Sequence, residues 1–421
     1  MAVQESSLRL NMNSPGGSLI TKTHAITGVD AAIFAVCLST FLVRFGFGEL
    51  NLIVPYHLAS IGVPRTLIGI ALSLNATVEM CTALPAGAMA DKFGRSKMFL
   101  LGLFLVSLTL ACFSLATEWW HFAMLCGFLG FGEAFTIAPA LALLTDYTEV
   151  ERRGRVMGFF DASVTLGYAA GPLAAGFLYE KFGHGITFQI ASGMVIIAFV
   201  ISAFLVRDVS RDVGHLGSKR SIILSDADLS QYKRLFPLIV SWILAMFILA
   251  VGQVVIPMYA EAHNVGTGRL GIVMAAVCIT LIASYVLFGA IADRVGRKIP
   301  MIFGLSVSTV SIMLMGITNT WESAEILLPM VAVGGGAFAP AALALLGDIA
   351  PERGRGVTMG IYDVVVATGM TMGPLFAGVI SDLMGFGALF LMCSAITAAN
   401  LVMVTFFVKM GDGGGKCAHR S

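Results

Sequence analysis

The chain has 421 residues, 57% of them hydrophobic and only 12% charged, with a net charge of +1 and a mean hydropathy of +0.88. A soluble globular protein carries about 25% charged residues, so this composition excludes a water-soluble domain and turns most of the chain toward lipid. The near-neutral balance gives no reason to expect a nucleic-acid partner.

Residues 1–28 are polar, rich in Ser and Asn, and lack the basic start, short apolar core and small-residue cleavage site of a signal peptide. They read as a disordered cytoplasmic tail, with the first apolar run acting as its own insertion signal. A membrane span needs about 20 apolar residues. Turn and charge clusters cut the chain into such runs at 30–58, 65–90, 97–117, 120–146, 155–180 and 184–206. Six more follow at 236–262, 268–292, 299–319, 323–348, 357–382 and 385–408. The charged stretch 207–235 is the one convincing linker, and 409–421 is a second polar tail. With both ends inside, cytoplasmic segments hold 22 of the 26 Lys and Arg, leaving Arg65, Lys181 and Arg269 outside and Arg44 within a span. That bias is the positive-inside pattern of a multi-pass protein of the plasma (inner) membrane with both termini cytoplasmic.

The chain also repeats itself after 202 residues without a gap. Gly87, Asp91, Gly94 and Arg95 return as Gly289, Asp293, Gly296 and Arg297. Asp146, Gly158, Asp161, Gly171, Pro172 and Gly176 return as Asp348, Gly360, Asp363, Gly373, Pro374 and Gly378. Two homologous halves in an apolar chain are the signature of a secondary transporter with its substrate site between them. Each half has six spans, so both share one orientation about an axis along the membrane normal. The expected fold is therefore all-α: twelve transmembrane helices in two pseudo-symmetric six-helix bundles, residues 29–206 and 236–408.

The loops GAMADKFGRSK (87–97) and GAIADRVGRK (289–298) follow the second and eighth spans. Gly permits a tight turn, Asp can cap a helix, and Arg or Lys can pair with a carboxylate at a neighbouring helix end. Here the chain resembles the major facilitator superfamily, whose signature loop is G-x-x-x-D-R/K-x-G-R-R/K-R/K; the departure is Ser96. The resemblance covers about residues 30–408 and implies a monomeric carrier. It implies that Asp91 faces the start of the eleventh helix, near 356–359, and that Arg95 pairs with Asp146 in an interdomain lock. Asp293, Arg297 and Asp348 form the second set. The fifth span, with Gly158, Gly167, Gly171, Pro172, Ala175 and Gly176, is similar to the antiporter motif of drug:proton exporters. Small residues at that spacing also serve plain helix packing, which accounts for the copy at Gly360, Gly369, Gly373, Pro374, Ala377 and Gly378. The Arg expected in the fourth span of those exporters is missing; Gly127 stands near that point and the intramembrane acid is Glu133.

An ionisable group at mid-membrane costs at least about 2.5–3.5 kcal/mol, so it should be paired, hydrated or functional. Arg44, Glu79 and Glu133 lie at mid-depth, Glu49 towards the outside, and Asp161 and Asp363 just beyond the basic loops. In the superfamily the first, fourth, seventh and tenth spans line the cavity, which implies that Arg44 and Glu133 face one another as a charge couple. Asn51 extends the Arg44 stripe, whereas Glu49 is about 140° round the helix. The second half is poorer in charge: Met246, Gly335 and Leu281 replace Arg44, Glu133 and Glu79. Its expected cavity groups are Gln253, Trp242, Met246, Tyr259 and Phe338.

The leading reading is proton-coupled export of small hydrophobic or amphiphilic compounds, with Glu133 the main titrating group. The alternative is a carrier of an organic anion or other metabolite held by Arg44; a non-transporting sensor has little support. No Walker loop or HExxH motif is present, and the Gly-rich loops follow membrane helices rather than strands, so no enzyme is expected. Seven cysteines show no paired spacing. Neither a metal, a cofactor nor a disulfide framework is expected, and Cys417 in the tail fits a reducing cytosol.

Overall fold

The computed structural model describes the backbone of residues 15–208, 226–349 and 355–408, and side chains there except at 15–28, 150–151, 226–234, 349 and 355–363. Ten continuous helices are long and apolar enough to cross a membrane, and no strand occurs among the described residues. The first four are α1 (Pro15–Ser60), α2 (Arg65–Phe93), α3 (Arg95–Phe113) and α4 (Trp119–Tyr147). The helix Val150–Leu205 is broken at Gly183, whose φ of 76° and ψ of 178° are not helical, into α5 and α6. Then come α7 (Asp226–Ala262), α8 (Thr267–Val295), α9 (Lys298–Thr318) and α10 (Trp321–Ile349). Arg355–Phe407 is broken in the same way at Gly385 (φ 79°, ψ 173°) into α11 and α12. Helical structure extends furthest beyond the apolar runs at the starts of α1, ahead of Val29, and of α7, ahead of Leu235, the latter taking in the end of the expected 207–235 linker. Most of the tails and the rest of that linker lie outside the described residues.

The 202-residue offset reappears in the backbone itself. Positive φ occurs at Gly62 and Asn264, at Gly94 and Gly296, and at Gly183 and Gly385, each pair 202 residues apart. At Gly94 and Gly296 the chain turns between two helices with φ of 103° and 97°, and each N–H closes the preceding helix on the carbonyl of Ala90 or Ala292. An L side chain is strained there, which is why the loop motif keeps glycine. Packing partners also recur: α1 on the α5–α6 helix and α7 on α11–α12, α2 on α4 and α8 on α10, α3 on α4 and α9 on α10.

The halves meet along α2 with α11 and α5 with α8. Contact is backbone to backbone at the ends remote from the basic loops. A Cβ at Gly69 would stand 3.2 Å from the Gly378 Cα, and one at Gly271 3.2 Å from the Gly176 Cα. Small residues are what permit that approach. Towards the basic face, Gly87, Gly158 and Gly289 meet nothing within 4 Å of an added Cβ. Among the described residues the two seams are therefore closed on one face and not on the other.

Candidate functional site

Four helices of the first half converge on Arg44. On α5, Gly167 lets α1 come close: a Cβ there would lie 2.9 Å from the Arg44 Cβ and 2.6 Å from the Phe41 carbonyl oxygen. On α4, Gly130 lets α2 approach, since a Cβ there would stand 3.0 Å from the Asn75 carbonyl carbon and 3.1 Å from the Glu79 nitrogen. These two close approaches bring four polar side chains together at mid-membrane. Arg44 Nη1 donates to Glu133 Oε1 at 3.0 Å and to the Tyr168 hydroxyl at 3.2 Å. Asn75 Nδ2 donates to the second oxygen of Glu133 at 3.2 Å. The guanidinium lies 5.4 Å from the Tyr168 ring centre and 5.6 Å from that of Phe47, a cation–π arrangement. Glu79 is within electrostatic reach of both Arg44 and Glu133.

The pair is almost dry, with side chains 11% exposed at Arg44 and 1% at Glu133. Removing such charges from water is costly unless each is paired and hydrogen-bonded. The Arg44 Nε and both oxygens of the fully buried Glu49 have no hydrogen-bond partner among the described residues. Glu49 sits where α1 crosses α5: a Cβ at Gly48 would meet Gly171 and Pro172. Asn51 is half-buried further along α1.

Asn75 and Tyr168 were not among the expected site residues. Both were open to detection: Asn75 is four residues before Glu79 on one helix face, and Tyr168 adjoins the motif glycine Gly167. Their repeat positions are Val277 and Met370, so every polar member of the cluster has an apolar or glycine counterpart in the second half. There, Met246 and Gln253 are half-buried. Trp242 is placed differently from the expected cavity wall. It is 3% exposed, edge-on to Phe338 at 5.6 Å, in a core cluster with Leu235, Leu238 and Met301. Tyr259 is likewise buried, against Phe386 and Phe390.

At the basic face, Arg95 Nη1 donates to Asp146 Oδ2 at 2.7 Å and to the Ala142 carbonyl, while its Nη2 reaches Asp91 Oδ1 at 3.1 Å. Arg297 donates to Asp293 and, at 3.5 Å, to Asp348. The 356–359 segment expected to face Asp91, and the Asp363 side chain, lie outside the described residues. Asp161 is exposed. Ser96, the departure from the signature loop, has a structural role: its hydroxyl donates to the Val206 carbonyl at 3.0 Å and its N–H to Asp208 at 2.8 Å. A long basic side chain would not fit that buried seat.

The two basic-face sets differ in a testable way. Asp146 is 18% exposed and Asp348 59%, and exposed ion pairs contribute only about 0–1 kcal/mol. Arg95→Ala should therefore lower the melting temperature of the purified protein by a few degrees, and Arg297→Ala by less. Equal shifts in a thermal melt would show that burial does not set the difference.

The family model of the Major Facilitator Superfamily matches residues 36–280 and 243–416. The chain is 26% identical over 365 residues to Multidrug resistance protein 2 of Bacillus subtilis, covering 83% of this chain and 89% of that one. It is 23% identical over 381 residues to the Quinolone resistance protein NorA of Staphylococcus aureus, covering 89% and 96%. Among solved structures, a bacterial homologue of the lysosomal transporter Spinster, inward-facing and unoccupied, superposes with a TM-score of 0.71 at 16% identity over 90% of this chain and 95% of that one. A peptide-bound POT family transporter gives 0.74 at 14% identity over 89% and 95%. With the family matched across nearly the whole chain and the fold shared with those structures, this chain belongs to the Major Facilitator Superfamily and is a multi-pass membrane transporter, not an enzyme.

Proposed function

We propose that this transporter exports small hydrophobic or amphiphilic compounds, with lipophilic cations foremost, in exchange for protons by alternating access. It works as a monomer in the plasma membrane, with the basic face and both termini cytoplasmic. The observation that carries the reading is the charge count of the Arg44 cluster: one guanidinium against two carboxylates, Glu133 and Glu79. With both acids ionised the cluster carries one negative charge in a poorly hydrated site, which is costly. One proton neutralises it. A lipophilic cation beside Glu79 does the same, so proton and substrate exclude one another, which is the requirement for antiport. The names of the relatives, multidrug and quinolone resistance proteins, agree with such cargo. Asn75 and Tyr168 hold Glu133 and Arg44 in register while the proton comes and goes.

The test uses everted vesicles containing the protein, with an imposed inside-acid pH gradient. Lipophilic cations are expected to collapse that gradient, and Glu133→Gln to abolish the response. Undiminished cation-driven collapse in Glu133→Gln would sink the proposal. Counterflow of an organic anion that Arg44→Ala eliminates would move the assignment to a metabolite carrier.

A further inference from the structure

Helices α2 and α8 begin at equivalent places in the two halves, and neither caps itself. Their N-cap residues, Pro64 and Gly266, are 202 residues apart and neither makes a side-chain cap hydrogen bond. The first turns therefore have free N–H groups that need acceptors. In both cases the acceptor comes from the opposite half. Asp382, at the end of α11, accepts from the Arg65 N–H at 3.1 Å, the Thr66 N–H at 2.7 Å and the Thr66 hydroxyl at 2.6 Å. Glu180, at the end of α5, accepts from the Gly268 N–H at 3.0 Å. Glu180 and Asp382 are themselves 202 residues apart, as are Thr66 and Gly268.

We propose that Glu180 and Asp382 are reciprocal latches that hold the face opposite the basic loops closed by capping a helix of the other half. A cap within one half would survive any movement between the halves. These caps cannot: access from that face requires α2 to leave α11 and α8 to leave α5, which breaks all four bonds. The surrounding contacts close the same face. Arg65 Nη1 donates to the Ser381 carbonyl at 2.8 Å, the Thr267 hydroxyl to the Gly176 carbonyl at 2.9 Å, and the Tyr56 hydroxyl to the Val265 carbonyl at 2.8 Å. The Arg65 guanidinium also lies 4.0 Å from the Phe386 ring centre. Both acids are exposed, so water replaces the lost partners when the seam opens. That makes the latch reversible. Asp382 accepts three bonds and Glu180 one, so the α2–α11 seam is the stronger. The inference depends on alternating access between halves, not on the substrate or coupling ion proposed for the Arg44 cluster.

The test measures the distance across that face between spin labels at Leu115 and Ile317, exposed positions 202 residues apart, just past the end of α3 and in the last turn of α9. Labels are introduced as cysteines in the full-length protein with native cysteines replaced by alanine. Loss of one cap is expected to move the closed-to-open ratio about tenfold towards the longer distance. Asp382→Ala should move it more than Glu180→Ala, and the double variant further. Asp382→Asn keeps an acceptor oxygen and should retain most of the closed population. Distance distributions that superimpose for the wild type and the double variant would overturn the latch, as would an Asn variant that opens as far as Ala. If the alanine variants fail to fold, a Thr66→Cys, Asp382→Cys pair decides the matter. Its disulfide should stop transport and its reduction restore it, and transport unaffected by the crosslink overturns the proposal.

Discussion

Arg44→Met, which installs the residue found at the equivalent position 246, is expected to lower the melting temperature by several degrees and to eliminate coupled transport. The reason lies in what is left behind. Hydrogen bonds between membrane helices average only about 0.6 kcal/mol, so losing the bonds to Glu133 and Tyr168 is a small effect. Leaving one partner of a buried ion pair uncompensated costs about 3–5 kcal/mol. Glu133, 1% exposed and 3.0 Å from Arg44, is that partner, and among the described residues Asn75 alone remains to hydrogen-bond it. Some water reaches the 11% exposed Arg44 side chain, which places the effect near the lower end, about 3 kcal/mol. The double variant Arg44→Met, Glu133→Gln removes both charges and should regain most of the lost stability while remaining unable to couple. Thermal melts of the three proteins give the answer. A single variant that melts like the wild type, or a double variant no better than the single, would show that the pair is not an interdependent unit.

This asymmetry between the halves was partly legible in the sequence. The offset of 202 residues located Met246, Gly335 and Leu281 opposite Arg44, Glu133 and Glu79, and hydropathy located twelve runs. What escaped is instructive. Trp242 was expected at the cavity wall, because its helix belongs to the cavity-lining set in the resembling family. In the structure it is packed in a core with Phe338. An apolar helix in a bundle offers buried, lipid-facing and cavity-facing surfaces of the same composition, so one-dimensional pattern does not separate them. Glu180 and Asp382 escaped for another reason. They stand at span ends, where charge is ordinary, and their meaning lies in N–H groups of the opposite half. The same offset pairs them, however, so carboxylates recurring at span ends were a signal available in the sequence.

Symmetric packing thus carries asymmetric chemistry. Equivalent glycines bring α5 to α1 and α11 to α7, yet only the first contact bears on charged groups. The motif in α5 that resembles an antiporter signature is, at the level of atoms, a device for bringing two backbones together. In the first half that closeness puts Arg44 beside Tyr168. In the second, a Cβ at Gly369 would stand 2.7 Å from the Met246 Cβ, and the residue at the position equivalent to Tyr168 is Met370, so neither position carries a titratable group.

Comparing Gly167→Ala with Gly369→Ala and Gly158→Ala separates these roles. At Gly167 the new Cβ would meet the Phe41 carbonyl oxygen at 2.6 Å, the Arg44 Cβ at 2.9 Å and the Phe45 nitrogen at 3.0 Å. At Gly369 it would meet the Met246 Cβ at 2.7 Å, the Phe247 nitrogen at 2.8 Å and the Ile243 carbonyl oxygen at 2.9 Å. Two of the three neighbours in each case are backbone, which cannot rotate away, so the helices must separate. Overpacking of this kind costs about 1–3 kcal/mol, and both variants are expected to melt several degrees below the wild type. At Gly158 nothing lies within 4 Å; alanine there should stabilise by about 0.5–1 kcal/mol through helix propensity. Transport then distinguishes the two destabilised variants. Gly167→Ala pushes directly on Arg44, so its cation-driven proton exchange should fall about as far as that of Arg44→Met. Gly369→Ala moves a methionine, and proton exchange per folded molecule should stay within about twofold of wild type, about 0.4 kcal/mol. If both lose exchange equally, the closeness of α1 and α5 matters for movement of the halves rather than for placing Arg44. If neither does, Arg44 tolerates displacement and the charge cluster is not the coupling element.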